Sequence, residues 1–212
     1  MTQNAGSRDS LSDQARVHID DPLAALKIAD SLFLRLRNLD PGQLRPLVVV
    51  CIGTDRSTGD SLGPLVGTRL SRLRVPGLCR VLGTLDHPVH ASNLKMTLES
   101  LAVDFSSPLV LAVDACLGQL ESVGSITISA GSLRPGAGVN KVLPPVGDLH
   151  VSGIVNVGGY LEFMVLQNTR LNLVMRMAEH ISRGISLGVK KYSASQPCPP
   201  IPFPCELNPS TV

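Results

Sequence analysis

Short apolar runs alternate along this chain with stretches in which apolar residues recur at helical spacing, a pattern that predicts strands and helices in succession. Residues 47 to 53, LVVVCIG, form a continuous apolar run centred on three valines, as in a strand buried on both faces. Leu62, Leu65, Val66, Leu70 and Leu73 then repeat as one face of a helix. LCRVLGTL (78 to 85) and LVLAVDA (109 to 115) predict two more strands, with a helix over 91 to 103 between them. Strands joined through helices pair in parallel. Upstream, Asp21 and Pro22 make an N-cap and first-turn pair for a helix carrying Leu23, Leu26, Ala29, Phe33 and Leu36 and ending near Pro41 and Gly42.

The pattern changes after Asp114. SVGSITISA (122 to 130) alternates with period two and predicts an antiparallel hairpin partner or a sheet edge. GSLRPGAGVNKVLPPVGD (131 to 148) is loop chemistry, long for a passive connection. HVSGIVNVGG supplies a last strand, and Leu161, Val165, Leu171, Val174, Ala178, Ile181 and Ile185 predict one long helix over 160 to 186. Residues 1 to 19 lack apolar periodicity and read as a mobile N-terminal segment, and the Pro-rich stretch 191 to 212 reads as a disordered tail. Residues 20 to 190 remain as a single α/β domain.

Composition narrows the function classes. The 212 residues carry a formal charge of +2 with no Trp and two Tyr, so neither a basic groove nor a stacking platform for nucleic acid is present. Cys51, Cys79, Cys116, Cys198 and Cys205 show no CxxC pairing and read as reduced thiols of a cytoplasmic protein. No apolar run reaches the roughly 18 residues of a membrane span, so a membrane partner is not expected.

Candidate chemistry gathers at two carboxylates. Asp114 closes the strand LVLAVD, and Asp60 lies between Gly59 and Ser61 in the loop after LVVVCIG. In open α/β sheets ligands bind beyond the carboxyl ends of parallel strands, so both aspartates are placed to meet over one sheet edge. Two close carboxylates do not easily both ionise; one then serves as acid while the other activates water. Asp60, Asp114 and His150 are alternatively a hard oxygen and nitrogen set for a divalent metal, although no cofactor is required. Structural roles compete with these: Asp60 as a helix N-cap, Asp114 as the cap of a turn, His150 as an exposed or hydrogen-bonded side chain. DHPVH, with His87 and His90, ranks lower as a metal cluster because Pro88 favours a loop or helix entry. The glycines of CIGTDRSTGDSLG follow neither phosphate-binding spacing. Ser57 and Ser61 lack a GxSxG context, and Cys51 and Cys116 read as small apolar residues.

The blocks CIGTDRSTGDSLGPLVGTRL, GTLDHPVHASNL, VDACLG, LRPGAGV and LPPVGDLHVSGIVN occur in order, and over roughly residues 45 to 187 the chain resembles the YyaC-type sporulation proteins. That group is similar in turn to the germination protease of endospore-forming bacteria and, more remotely, to the hydrogenase maturation proteases. The resemblance implies a three-layer α/β/α sandwich with a mostly parallel sheet, of the hydrogenase maturation protease-like type. It maps the two catalytic carboxylates of the germination protease onto Asp60 and Asp114 and places the loop SLRPGAGVNK beside them. Backbone NH groups at Gly59, Gly136 or Gly138 are then candidates for an oxyanion site. In the maturation proteases two acidic residues and a histidine bind nickel of the substrate, and His150 is the counterpart on offer, at a different spacing.

The implied function is a sporulation-associated peptidase acting on a protein or peptide substrate in the cytoplasm of the developing spore, with homo-oligomerisation left open. The alternative is a non-catalytic protein whose protease-like cleft binds a peptide during spore formation or germination.

Overall fold

The computed structural model describes residues 14–136, 143–159 and 161–195. Its centre is strand β2 (Leu47–Cys51), all five residues of which are buried. β2 pairs in parallel with β3 (Arg80–Leu82) on one side and with β4 (Leu109–Gly118) on the other. β4 pairs in parallel with β6 (Leu149–Val157), and β5 (Ser125–Ala130) lies antiparallel to β6. β1 (Gln14–His18) completes the six-stranded sheet, whose order is β1-β5-β6-β4-β2-β3.

Helices cover both faces, giving three layers. Alternate residues of β2 diverge, as the strand period demands. Leu47, Val49 and Cys51 join a core with α1 (Ala24–Leu39), α2 (Leu62–Leu73) and α5 (Leu171–Ala194), represented by Leu32, Val66 and Ile181. Val48 and Val50 join Leu94 and Leu101 of α3 (Leu94–Asp104) on the other face. None of the described helices is long and apolar enough to cross a membrane.

The structure departs from the sequence expectations at both chain ends, along α1 and after β6. The expected mobile segment 1 to 19 includes β1, a short edge strand that buries Val17 while Gln14, Arg16 and His18 face out; residues 1–13 lie outside the described set. At the other end, α5 runs past 190. Buried Tyr192 donates its hydroxyl to the Asp40 carbonyl and carboxylate at 2.9 and 3.0 Å, so only 196–212 of the expected tail lie outside the described residues. Of the two alternatives for 122 to 130, the antiparallel partner is the one found, since β5 lies antiparallel between β1 and β6.

The α1 stripe is also shifted. Leu23 and Leu26 are 51% and 53% exposed, and the buried line runs through Ala24, Ile28, Leu32 and Leu36. α5 selects this line, because its Gly184 and Gly188 let Ile28 and Ala29 approach so closely that a Cβ on either glycine would meet them at 2.5 and 2.9 Å. Finally, the expected helix over 160 to 186 is two helices, α4 (Glu162–Gln167) and α5. α4 stops because side chains take its terminal carbonyls: Thr169 and Asn156 donate to Val165 O at 3.0 and 3.2 Å, and Asn168 donates to Met164 O at 2.8 Å.

The passage from β2 to α2 has no room for side chains. A Cβ on Gly63 would lie 2.0 Å from the Ile52 carbonyl oxygen, and one on Gly53, where φ is 147°, would lie 2.0 Å from the Asp60 carbonyl oxygen. Gly63→Ala is therefore expected to destabilise the fold by at least about 3 kcal/mol in urea unfolding. Val103→Ala, at a side chain 86% exposed, should stay within about 0.5 kcal/mol of the parent.

Candidate active site

β2 and β4 are neighbours whose onward connections diverge. β2 leads through α2 to β3 on one side, whereas β4 leads by way of β5 to β6 on the other. The crevice outside the carboxyl ends of such a strand pair is where open α/β sheets bind ligands. Both expected aspartates arrive there.

Asp60 sits in a single turn of 3-10 helix, Gly59–Ser61, just before α2. The loop that carries it closes on itself: Thr54 N donates to Asp60 O at 3.1 Å, and Ser61 Oγ donates to Thr58 O at 2.6 Å. The capping alternative for Asp60 is not realised, since the residue preceding α2 is Ser61 and no side chain caps the helix. Asp114 extends β4 one residue beyond the last β2 pair, Cys51 with Val113, and lies opposite Ser152 of β6. Its Oδ1 accepts a hydrogen bond of 2.8 Å from Ala115 N.

The two carboxylates line one cavity of about 190 Å³ together with Ala115, Cys116, Leu117, Leu133, Arg134, Gly136, Glu162 and Leu166. This is smaller than the roughly 300 Å³ at which drug-sized pockets begin, so it admits a few substrate groups at a time.

The surroundings make the aspartates unlike. Burial pushes the Asp114 carboxyl up to about 8; the hydrogen bond from Ala115 opposes that rise and the charge of Asp60 adds to it. Asp114 nevertheless keeps partial solvent contact at the cavity wall, so water reaches it. Burial also raises the Asp60 carboxyl, and the Ser57 hydroxyl offsets part of the rise. At neutral pH Asp114 thus holds a proton as Asp60 gives its own up more readily. The Cys116 thiol beside them is pushed up to about 11 by burial and by the Asp114 charge, against an opposing effect of Arg16. It stays a thiol and is a poor nucleophile.

The other expected residues separate. Gly136, with φ of 76°, lines the cavity, and Gly138 lies outside the described residues. Gly59 does not line it; a Cβ there would meet Leu166 Cδ2 at 2.7 Å and Leu166 O at 3.1 Å, so its bareness serves the contact between the 3-10 turn and α4. His150 does not join the aspartates either. It pairs in register with Ala112, two positions and about 7 Å back along the strand from the level of Asp114, and its Nδ1 lies 2.9 Å from Gly131 O. Among the described residues no group of three or more His, Cys, Asp and Glu is placed to hold a metal ion. His87 and His90 belong to the entry of α3, where Asn93 accepts from His90 N at 2.8 Å and donates to Pro88 O at 2.9 Å.

Arg134, Glu162, Leu117, Leu133 and Leu166 also line the cavity, with no site role assigned to them by the sequence pattern. Arg134 lay within the quoted LRPGAGV block without a role. Glu162 and Leu166 had no local signal, because only the break between α4 and α5 turns them toward the cavity.

Fold and site together define a three-layer α/β/α protein with a paired-carboxylate cavity where its strand connections diverge. The chain belongs to the DUF1256 family, described as a protein of unknown function, whose model matches residues 16–184. It is also 59% identical over 143 residues to the uncharacterized protein YyaC of Bacillus subtilis (strain 168), an alignment covering 68% of this chain and 69% of that relative.

The high Asp114 value has a consequence for stability. Below its ordinary value of 3.8 the group is protonated whether the chain is folded or not. As pH rises toward 8 the unfolded chain releases a proton that the folded chain keeps, so stability falls across this window. Asp114→Asn removes the penalty. It is expected to stabilise the protein by about 2 to 4 kcal/mol at pH 7, with the gain vanishing below about pH 4; urea melts across a pH series measure it.

Proposed function

We propose that this chain is a peptidase-like hydrolase in which Asp60 is the general base and Asp114 the general acid. The observation that carries this reading is that the two aspartates line one cavity in surroundings that hold their protons with different strength. The resemblance of TGDSLGP and VDA to the carboxylate segments of the germination protease supports a peptide bond as the target. Resemblance to the YyaC-type sporulation proteins supports a protein or peptide substrate in the developing spore.

In this reaction the Asp60 carboxylate takes a proton from a water molecule, whose oxygen attacks the peptide carbonyl carbon as Asp114 gives its proton to the carbonyl oxygen. The tetrahedral diol then collapses: the C–N bond breaks, the proton held on Asp60 goes to the leaving amine, and a diol hydroxyl returns a proton to Asp114. Both aspartates end as they began. Gly136 is the described glycine on the cavity wall from which a backbone NH can support the oxygen. Leu117, Leu133 and Leu166 supply an apolar wall for substrate side chains.

Purified protein incubated with spore protein extract should create new N-termini detectable by mass spectrometry. Asp60→Asn and Asp114→Asn should each lower that cleavage at least about 10³-fold while the fold is retained. Cleavage by both folded variants at the parental rate would falsify the reading, and binding of a peptide without cleavage by the parent would favour the non-catalytic alternative.

The pH profile has a defined sign. Activity should rise with pH as Asp60 ionises, above the ordinary 3.8, and fall as Asp114 loses its proton near pH 8. Initial rates of cleavage between pH 4 and 10 test this, and a rate still rising past about pH 9 would exclude Asp114 as the acid.

A further inference from the structure

Ser57 is 5% exposed, and its Oγ is the one buried side-chain oxygen or nitrogen among the described residues with no hydrogen-bond partner. Folded chains rarely leave a buried hydroxyl unmatched, and such a group points to a partner taken up in another state of the site. The loop around Ser57 offers a specific candidate. Thr54 N closes onto Asp60 O, while the Thr58 carbonyl already receives Ser61 N and Oγ. These bonds close the loop on itself, and the carboxylate of Asp60 lies three residues on from Ser57 within it.

Ser57 is absent from the cavity wall, whereas Asp114 and Cys116 from β4, Glu162 from α4 and Arg134 from the loop after β5 all meet Asp60 across the cavity. Ser57 thus lies off the cavity wall, buried in the loop that carries Asp60. We propose that Ser57 is a positioning residue of this site, its hydroxyl donating to the Asp60 carboxylate and setting which of the two aspartates serves as base. This rests on the acid and base reading above. A hydroxyl that bonds the charged form favours it, which agrees with the offset Ser57 exerts on the burial of Asp60. Of two side chains with identical chemistry, Asp60 gains a hydroxyl donor, whereas Asp114 has the Ala115 NH.

The test uses the full chain labelled with ¹³C at the aspartate carboxyls. In an Asp114→Asn background Asp60 titrates without its coupled partner, and its carboxyl shift is followed from pH 2 to 9. Adding Ser57→Ala is expected to raise the Asp60 midpoint by about one pH unit, a tenfold change in proton affinity. Ser57→Thr, which keeps the hydroxyl, should return the midpoint toward that of the background. An Asp60 midpoint unmoved by Ser57→Ala overturns the proposal. So does a loss of thermal stability in Ser57→Ala with the midpoint unchanged, because that pattern marks a purely structural hydroxyl. A midpoint that moves, together with a parent chain that cleaves no spore protein, upholds the contact and counts against the hydrolase reading alone.

Discussion

The closest approach in the molecule that matters for its site is between backbones: the bare Cα of Gly63 rests against the Ile52 carbonyl, and that of Gly53 against the Asp60 carbonyl. No side chain larger than hydrogen fits at either place. Because the start of α2 is pressed onto the end of β2, the intervening loop must fold out and back within a few residues, and Asp60 is delivered to the crevice by backbone geometry alone. The other half of the site is equally rigid. β4 pairs with β2 up to Val113 and with β6 through Asp114 to Cys116, so the position of Asp114 is fixed by the register on β6. Carboxylates held on such elements keep their separation without ordering entropy at the moment of use.

Rigidity and burial together carry an energetic cost. A carboxyl that prefers water is kept inside β4, one residue past its last pair with β2, where burial raises it to about 8, and Asp60 beside it adds a repulsive charge. The sheet offsets this elsewhere: β2 is buried throughout, and the apolar residues of β4, β5 and β6 close against α1, α2 and α5. A fold that spends stability at one spot and recovers it in the core is the usual signature of a functional site. The polar anchors at the opposite end of the sheet behave differently. Asp40 there accepts Leu44 N, Arg45 N and Tyr192 Oη, and these bonds together with Arg45 hold its carboxyl below the ordinary value despite burial. Asp40 is matched by three donors, and Asp114 by the Ala115 NH.

Local signals made most of this legible. The valine run of β2 could only be a doubly buried strand, and the placement of Asp60 after one parallel strand and Asp114 on another needed no tertiary information, although β4 does not close at Asp114 as expected but runs on to Gly118 beside β6. What escaped was set at a distance. α1 has leucines enough for more than one apolar stripe, and the glycines of α5, some 160 positions away, choose the line through Ile28 and Leu32. The break after Gln167 depends on Asn156 reaching from β6 to the Val165 carbonyl, so helical periodicity could not show it. β1 is five residues of ordinary alternation and gains its identity only by pairing with β5. His150 stands apart from the carboxylates for a simpler reason: a shift of two rungs along β6 is not decidable from spacing, yet it sets the ring beside Gly131 O.

Two aspartates are chemically the same residue, so any division of labour between them must come from what surrounds each. Asp114 receives burial on a sheet, a single backbone donor and its neighbour's charge, all but the donor favouring the protonated form. Asp60 stands at the entrance of a helix, where the aligned peptide dipoles favour negative charge, with a serine hydroxyl behind it. Glu162 and Arg134 face the pair across the cavity, with Glu162 half-buried and held by Gly159 N at 3.3 Å and Arg134 on the exposed loop. The fixed surroundings therefore favour one charge on the pair, placed on the residue nearest the helix entrance. That asymmetry is written in the β2 to α2 passage, where the glycines admit the turn, the turn exposes the carboxylate, and the serine stands behind it.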